Sequence, residues 1–134
     1  MILLDTHVLI WLTYDSDRLG PAARDLIREN TGRIALSAMT FWELSMLQSK
    51  RRIELTMPVE SLLTKVTEAG YIVIAPVSAE IAIDAHRLPD LHGDLVDRLL
   101  MATARDGNGV LVTADHIIHD YAKAGHVQVI DARR

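Results

Sequence analysis

Five acidic residues occupy positions from which an α/β chain can do chemistry: Asp5, Glu43, Asp94, Asp97 and Asp115. Asp5 directly follows the apolar run Ile2-Leu3-Leu4, and Asp115 comes shortly after Val110-Leu111-Val112. Glu43 lies in an amphipathic segment that follows Ile34-Ala35-Leu36. Asp94 and Asp97 are spaced i, i+3, so a helix sets both on one face. Two carboxylates about 4 Å apart repel by roughly 1 kcal/mol in water-like surroundings and about 4 kcal/mol at an effective dielectric of 20. Several of them converging without a cation strain the fold or take up protons. A hard divalent cation removes the conflict, and Mg²⁺ needs only a few carboxylates because it keeps several waters. Such a cation polarises a phosphodiester and lowers the pKa of a bound water. Hydrolysis then needs no cysteine, serine or lysine nucleophile, and this chain has no cysteine at all.

Each acid also has a plainer use. Asp5 and Asp115 are placed to cap helices by accepting backbone N–H bonds. Thr40-Phe41-Trp42-Glu43 has the form of a capping box, and Asp94-Leu95-Val96-Asp97 has it loosely. Caps collect acids at one sheet edge in any case, so cap and site stand open as readings of the same residues. Among the histidines, His116 and His119 are spaced for two metal ligands on one helix face, but no third partner stands out. His7 is placed either to touch a phosphate or to pack against Trp11, and His92 precedes the Asp94 turn. Lys50-Arg51-Arg52 suits a helix C-terminus, where cations offset the dipole, as well as it suits contact with nucleic acid. Arg98 points away from Asp97 on a helix and is free for an acid or a substrate. Trp11, Phe41 and Trp42 read as core or subunit interface.

The elements that must position these residues follow from the apolar pattern. The chain has 134 residues, 49% hydrophobic and 24% charged, which suits one globular domain over 1–134 and excludes a disordered chain. Without cysteine, disulfide scaffolds and thiolate zinc sites are excluded. No apolar run approaches the length of a membrane span, and Met1-Ile2-Leu3-Leu4 lacks the basic flank of a signal peptide, so a soluble cytoplasmic protein is expected. Eighteen acids against fourteen bases give a net charge of −4. That disfavours general electrostatic binding of nucleic acid but not an enzyme whose acidic site recruits a metal. Strands are predicted at Ile2–Leu4, Ile34–Leu36, Tyr71–Ile74, Val110–Val112 and Val127–Ile130. Helices are predicted at 7–13, 21–30, 39–50, 59–69, 79–86, 95–105 and 116–122. The strands are short and solidly apolar, the mark of strands covered on both faces. The expected fold is a three-layer α/β/α sandwich around a central, mostly parallel five-stranded sheet. In such sheets the functional crevice lies beyond the C-terminal strand ends.

Four blocks carry a family resemblance: Leu3-Leu4-Asp5-Thr6-His7, Phe41-Trp42-Glu43-Leu44, His92-Gly93-Asp94-Leu95-Val96-Asp97-Arg98-Leu99-Leu100 and Val112-Thr113-Ala114-Asp115. In this order and spacing they resemble the PIN domain, in particular VapC-type toxins. Family members often have proline where this chain has Leu95. The resemblance implies a PIN-like fold and cleavage of single-stranded RNA by an acidic pocket with Mg²⁺ or Mn²⁺. It carries the catalytic and metal-binding roles onto Asp5, Glu43, Asp97 and Asp115. Asp94 is an auxiliary acid, and Thr6 and Thr113 match small polar positions beside the acids. The expected partners are RNA, a VapB-like antitoxin whose tail covers the active-site groove, and a second copy in a homodimer.

Other functions compete for these residues. A haloacid-dehalogenase-like phosphohydrolase wants a second acid two residues after the first, where this chain has His7. A receiver domain wants an acid after the middle strand, where this chain has Ala75-Pro76. A PIN-like domain that binds RNA or protein without cutting is the non-enzyme alternative, and the intact acids argue against it.

Overall fold

The computed structural model describes residues 1–91 and 93–134. His92 and its suggested part in orienting the Asp94 turn lie outside the described residues. Five strands, β1 (Ile2–Leu4), β2 (Ile34–Ser37), β3 (Ile72–Ala75), β4 (Val110–Thr113) and β5 (Val129–Asp131), form one sheet. Its order is β3-β2-β1-β4-β5, and every pairing is parallel. Among the described residues seven helices join them: α1 (Thr6–Thr13), α2 (Pro21–Glu29), α3 (Ala38–Ser49), α4 (Val59–Glu68), α5 (Ala79–Arg87), α6 (Leu95–Asp106) and α7 (His116–Ala122).

Parallel strands need crossovers, and the helices supply them on both faces. Alternation along each strand divides the core in two. Leu4, Leu36 and Val112 point to one side and pack with Val8 and Leu9 of α1, Ile27 of α2, Leu44 of α3 and Leu62 of α4. Leu3, Ala35 and Leu111 point to the other side and pack with Leu100, Met101 and Ala104 of α6 and Ile118 of α7. The three-layer expectation therefore holds, and "mostly parallel" sharpens to wholly parallel.

Coverage fails at the edge. Val73 of β3 is 56% exposed, so the expectation that both faces of every strand are covered is corrected there. The α6 layer packs on β4 and β1 and does not extend over β3. Boundaries also move. The third strand starts at Ile72, not Tyr71, and Val127 is buried before the fifth strand begins at Val129.

The chain runs β1, β2, β3 outward in one direction and returns to β4 and β5 on the other side of β1. The order thus reverses between β1 and β4. A crevice opens at such a switch point, beyond the carboxyl ends of the two strands. Helices that follow a strand begin at that edge. So does α6, because it runs back antiparallel before entering β4. The N-termini of α1, α3, α6 and α7 therefore share one edge of the sheet.

Candidate active site

Three of the five acids do cap helices at this edge. Asp5 Oδ1 accepts the N–H of Thr6 at 2.7 Å, Asp94 Oδ1 that of Asp97 at 2.8 Å, and Asp115 Oδ1 that of Ile117 at 2.8 Å. The capping-box reading of Thr40 to Glu43 is overturned. Ser37 caps α3 by accepting from Met39 N–H at 3.1 Å, which places Thr40 and Glu43 inside the helix. The Asp94–Asp97 box is half made, since among the described residues no return bond from the Asp94 N–H to the Asp97 carboxylate closes it. Leu95, the first residue of α6, is 62% exposed and sits where a helix accepts proline without loss. The departure from the family pattern there is thus sterically neutral.

Capping does not exhaust these carboxylates. Asp5, Glu43, Asp94, Asp97 and Asp115 all line one open cavity of about 290 Å³, together with Thr6 and His7. Ile10, Leu47 and Ile53 supply its apolar wall. Asp5 is its floor, only 4% exposed and gripped from two sides. Besides the Thr6 N–H, it accepts the Thr113 hydroxyl at Oδ2, 2.7 Å away. The same Thr113 oxygen accepts the Asp115 N–H at 3.0 Å, so one buried hydroxyl couples the two acids across the switch point. His7 Nε2 accepts the Ala114 N–H at 2.9 Å, which fixes the neutral tautomer protonated on Nδ1. That nitrogen faces Asp5 Oδ2 at 3.7 Å, and the ring packs on Trp11 with centroids 5.0 Å apart.

The electrostatics follow from crowding. Burial, reinforced by Asp94, Asp5, Asp115 and Glu43, pushes the Asp97 carboxyl from 3.8 up to about 8. Burial also raises Glu43, against the Thr6 hydroxyl, which favours its ionised form, with Asp5 and Asp94 adding to the rise. Without a cation the cluster thus holds a proton at neutral pH. The donors are all oxygen, the set that hard cations such as Mg²⁺ and Mn²⁺ prefer. Among the described residues no three of these groups are already arranged to hold a metal ion between them. An open site of this kind still suits Mg²⁺, which binds through one or two carboxylates plus water and phosphate.

Other expected candidates fall outside the cluster. His119 Nε2 donates to the Thr113 carbonyl at 2.7 Å, so it props the strand end and makes no metal pair with the exposed His116. Arg98 reaches neither acid nor solvent groove. Its guanidinium donates to the carbonyls of Ala85, His86 and Leu91, tying the end of α5 to the segment that leads into Asp94. That role left no trace in the sequence, because the partners are main-chain carbonyls. Lys50, Arg51 and Arg52 are exposed at and beyond the end of α3.

Thr113→Val should show how much the buried hydroxyl contributes. It leaves Asp5 Oδ2 and the Asp115 N–H without their partner. We expect a loss of about 1–3 kcal/mol in thermal or urea unfolding, with Thr113→Ser recovering most of it. Equal stability of the valine variant would contradict the coupling.

The same fold and edge define a known class: the chain matches the PIN domain family model over residues 2–124 and belongs to that family. Among curated proteins it is similar to ribonuclease VapC22 of Mycobacterium tuberculosis, 34% identical over 90% of this chain and 91% of the relative. Among solved structures it resembles VapBC-1 from nontypeable Haemophilus influenzae, with a TM-score of 0.69, 17% identity and full coverage of both chains. It also resembles a toxin–antitoxin complex from Klebsiella pneumoniae, with a TM-score of 0.65, 22% identity and 98% coverage of each chain. The matched span contains Asp5, Glu43, Asp94, Asp97 and Asp115, and the haloacid-dehalogenase pattern gains nothing from it. No helix among the described residues is long and apolar enough to cross a membrane.

Proposed function

We propose that this chain is a metal-dependent endoribonuclease, a single PIN-like domain acting as the toxin of a toxin–antitoxin pair in the cytoplasm. The observation that carries the reading is the cavity of crowded carboxylates at the switch point, in which Asp97 is driven to about 8. The 34% identity to a ribonuclease of the VapC type supports the substrate class.

In this reading Asp5, Asp97, Glu43 and Asp115 hold a divalent cation, Mg²⁺ or Mn²⁺, with Asp94 as auxiliary. When bound, the cation stabilises charge on the scissile phosphate and makes water a better nucleophile near neutral pH. Asp5 is the fixed member, because Thr113 and the Thr6 N–H leave its carboxylate one orientation. Thr113 transmits that orientation to the Asp115 turn. Glu43, partly exposed and with a raised pKa, is the carboxylate suited to take a proton from the attacking water. Ile10, Leu47 and Ile53 keep bulk water from one side of the site, which strengthens every charge interaction within it.

A VapB-like antitoxin and a homodimer complete the proposal. Solved neighbours of the same fold are toxin–antitoxin complexes. Trp42, Ile83 and Val73 are each at least half exposed, more apolar surface than an isolated domain of this size needs to show. A small neighbouring gene encoding a DNA-binding protein is the observation that would support the toxin assignment.

The test is cleavage by the purified, antitoxin-free chain. RNA should be cut with Mg²⁺ or Mn²⁺ and left whole in EDTA. RNA that is bound but uncut under every metal condition would instead favour the silent binding domain.

A further inference from the structure

A second and a third depression continue from the acidic cavity. The second, about 300 Å³, shares His7 and Asp115 with it and adds Trp11, His116, Ile117 and Arg133. The third, about 340 Å³, is lined by Trp11, Arg18 and Arg133. Shared residues make the three one trough. It begins at the carboxylates, passes an aromatic ring and ends between two arginines. Charge therefore reverses along it, in a chain whose net charge is −4.

The arginine end is built rather than incidental. Both side chains are exposed, and neither guanidinium makes an ion pair or hydrogen bond among the described residues. The other arginines near this surface are engaged: Arg24 with Asp15 and Arg134 with Asp131. The main chain around Arg133 is pinned on both sides. The Ala132 carbonyl accepts from Gly20 N–H at 2.9 Å, and the Arg134 carbonyl accepts from Ala22 N–H at 2.8 Å. The Arg133 N–H itself donates to Asp131 Oδ1 at 2.9 Å. A Cβ on Gly20 would stand 2.2–2.5 Å from main-chain atoms of Arg133 and Arg134, so only glycine admits this docking. The same glycine follows Leu19, which is buried and anchors Arg18 just before it. Two unpaired cations are thus held around one cavity by rigid backbone. Like charges so placed gain from an anion between them.

We infer that this trough is the substrate-positioning arm of the proposed nuclease site: it takes the nucleotide next to the scissile phosphate, with the base against Trp11 and the following phosphate between Arg18 and Arg133. The inference rests on the reading of the acidic cavity as a ribonuclease site and deepens it. Single-stranded nucleic acid suits the sequence of features, because an aromatic face accepts any base and arginines track the backbone. An acidic peptide would use the arginines but has no need of an aromatic face that opens onto carboxylates.

Fluorescence anisotropy with a labelled oligouridylate, in an Asp97→Asn background that cannot cut it, tests the arm. Arg18→Ala/Arg133→Ala should weaken binding about ten-fold or more and flatten the dependence of log K on log salt by about 0.7, the slope of one lost phosphate contact on a single strand. Arg28→Ala/Lys123→Ala makes the same change in net charge at residues outside the trough and should move the slope far less. Trp11→Leu should weaken binding and Trp11→Phe should restore it. Thermal melts check that each variant is folded. Equal slopes for the two double variants would overturn the arm, as would no RNA binding at low salt. Displacement of the RNA by oligoglutamate with the same dependence on Trp11 would also overturn it, in favour of an acidic protein segment. With Asp97 restored and Mg²⁺ or Mn²⁺ present, arginine-dependent binding without any cutting of RNA would sink the nuclease reading and leave the arm standing. Cutting by that chain that ignores both arginines would do the reverse.

Discussion

Asp97→Asn should melt above the wild type in EDTA and lose that advantage when Mg²⁺ or Mn²⁺ is added. The Asp97 carboxyl ionises near 3.8 in an unfolded chain and near 8 in the fold. Between those values the folded protein holds the extra proton, so its stability falls as pH rises across the window. Below 3.8 the penalty is absent, and above about 8 it is complete. Asparagine removes the charge and with it the repulsion from Asp94, Asp5, Asp115 and Glu43, roughly 1–4 kcal/mol per close pair. Against this stands the favourable interaction of Asp97 with the start of α6, about 0.3–1 kcal/mol. Repulsion wins, and at about 3–5 °C per kcal/mol for a chain of this size the gain is easily read. The gain should be largest near pH 8–9 and vanish toward pH 4. A cation that binds only the folded wild type stabilises it by mass action, and the variant much less. A variant that melts lower in EDTA at pH 8, with metal shifting both proteins equally, would return Asp97 to the role of a helix residue.

The largest effect on activity is expected at Asp5. Asparagine there is isosteric, keeps the Oδ1 acceptor for the Thr6 N–H and can still meet the Thr113 hydroxyl, which is free to reverse its donor role. The fold should therefore survive within about 1 kcal/mol. What disappears is one negative charge on the floor of the cavity, the best-fixed of the acids. If that charge holds the cation, several kcal/mol of transition-state stabilisation go with it, a loss of about 10²–10⁴-fold in cleavage rate. Thermal melts and single-turnover cleavage on the same preparation separate the two effects. A folded Asp5→Asn that cuts within a few-fold of wild type would remove Asp5 from the chemistry.

Much of this site was legible before any coordinates. Asp5 and Asp115 stand out because they follow strands, and strands show as short apolar runs between helical segments. Their double use, as cap and as cavity wall, was also open to view, since a side chain with two oxygens can do both. Glu43 stands out by its place after the second strand, but the capping box read there does not form. Ser37, the last residue of β2, captures the helix start first, and a sequence does not show which of two nearby hydroxyl residues will be the cap. That converging acids take up a proton was legible, but not that Asp97 holds it, because its burial depends on how separate segments pack around the cavity. The loop clamp made by Arg98 was hidden for a similar reason. An exposed Val73 escaped notice because an apolar residue in a strand looks the same whether or not a helix lies over it. Arg133 drew no attention at all. Its meaning depends on Gly20, more than a hundred positions away, admitting the main chain beside it.

In the proposed site a divalent cation takes the place of a proton in the acidic cavity. Calorimetric titration of Mn²⁺ into metal-free protein, at pH 7 in two buffers of different ionisation enthalpy, measures this without any RNA. A carboxyl near 8 is about nine-tenths protonated at pH 7, so saturable binding should release most of one proton, and much less at pH 9. Asp97→Asn should bind more weakly and release none. No saturable binding, or binding with the same proton release in both proteins, would contradict the account.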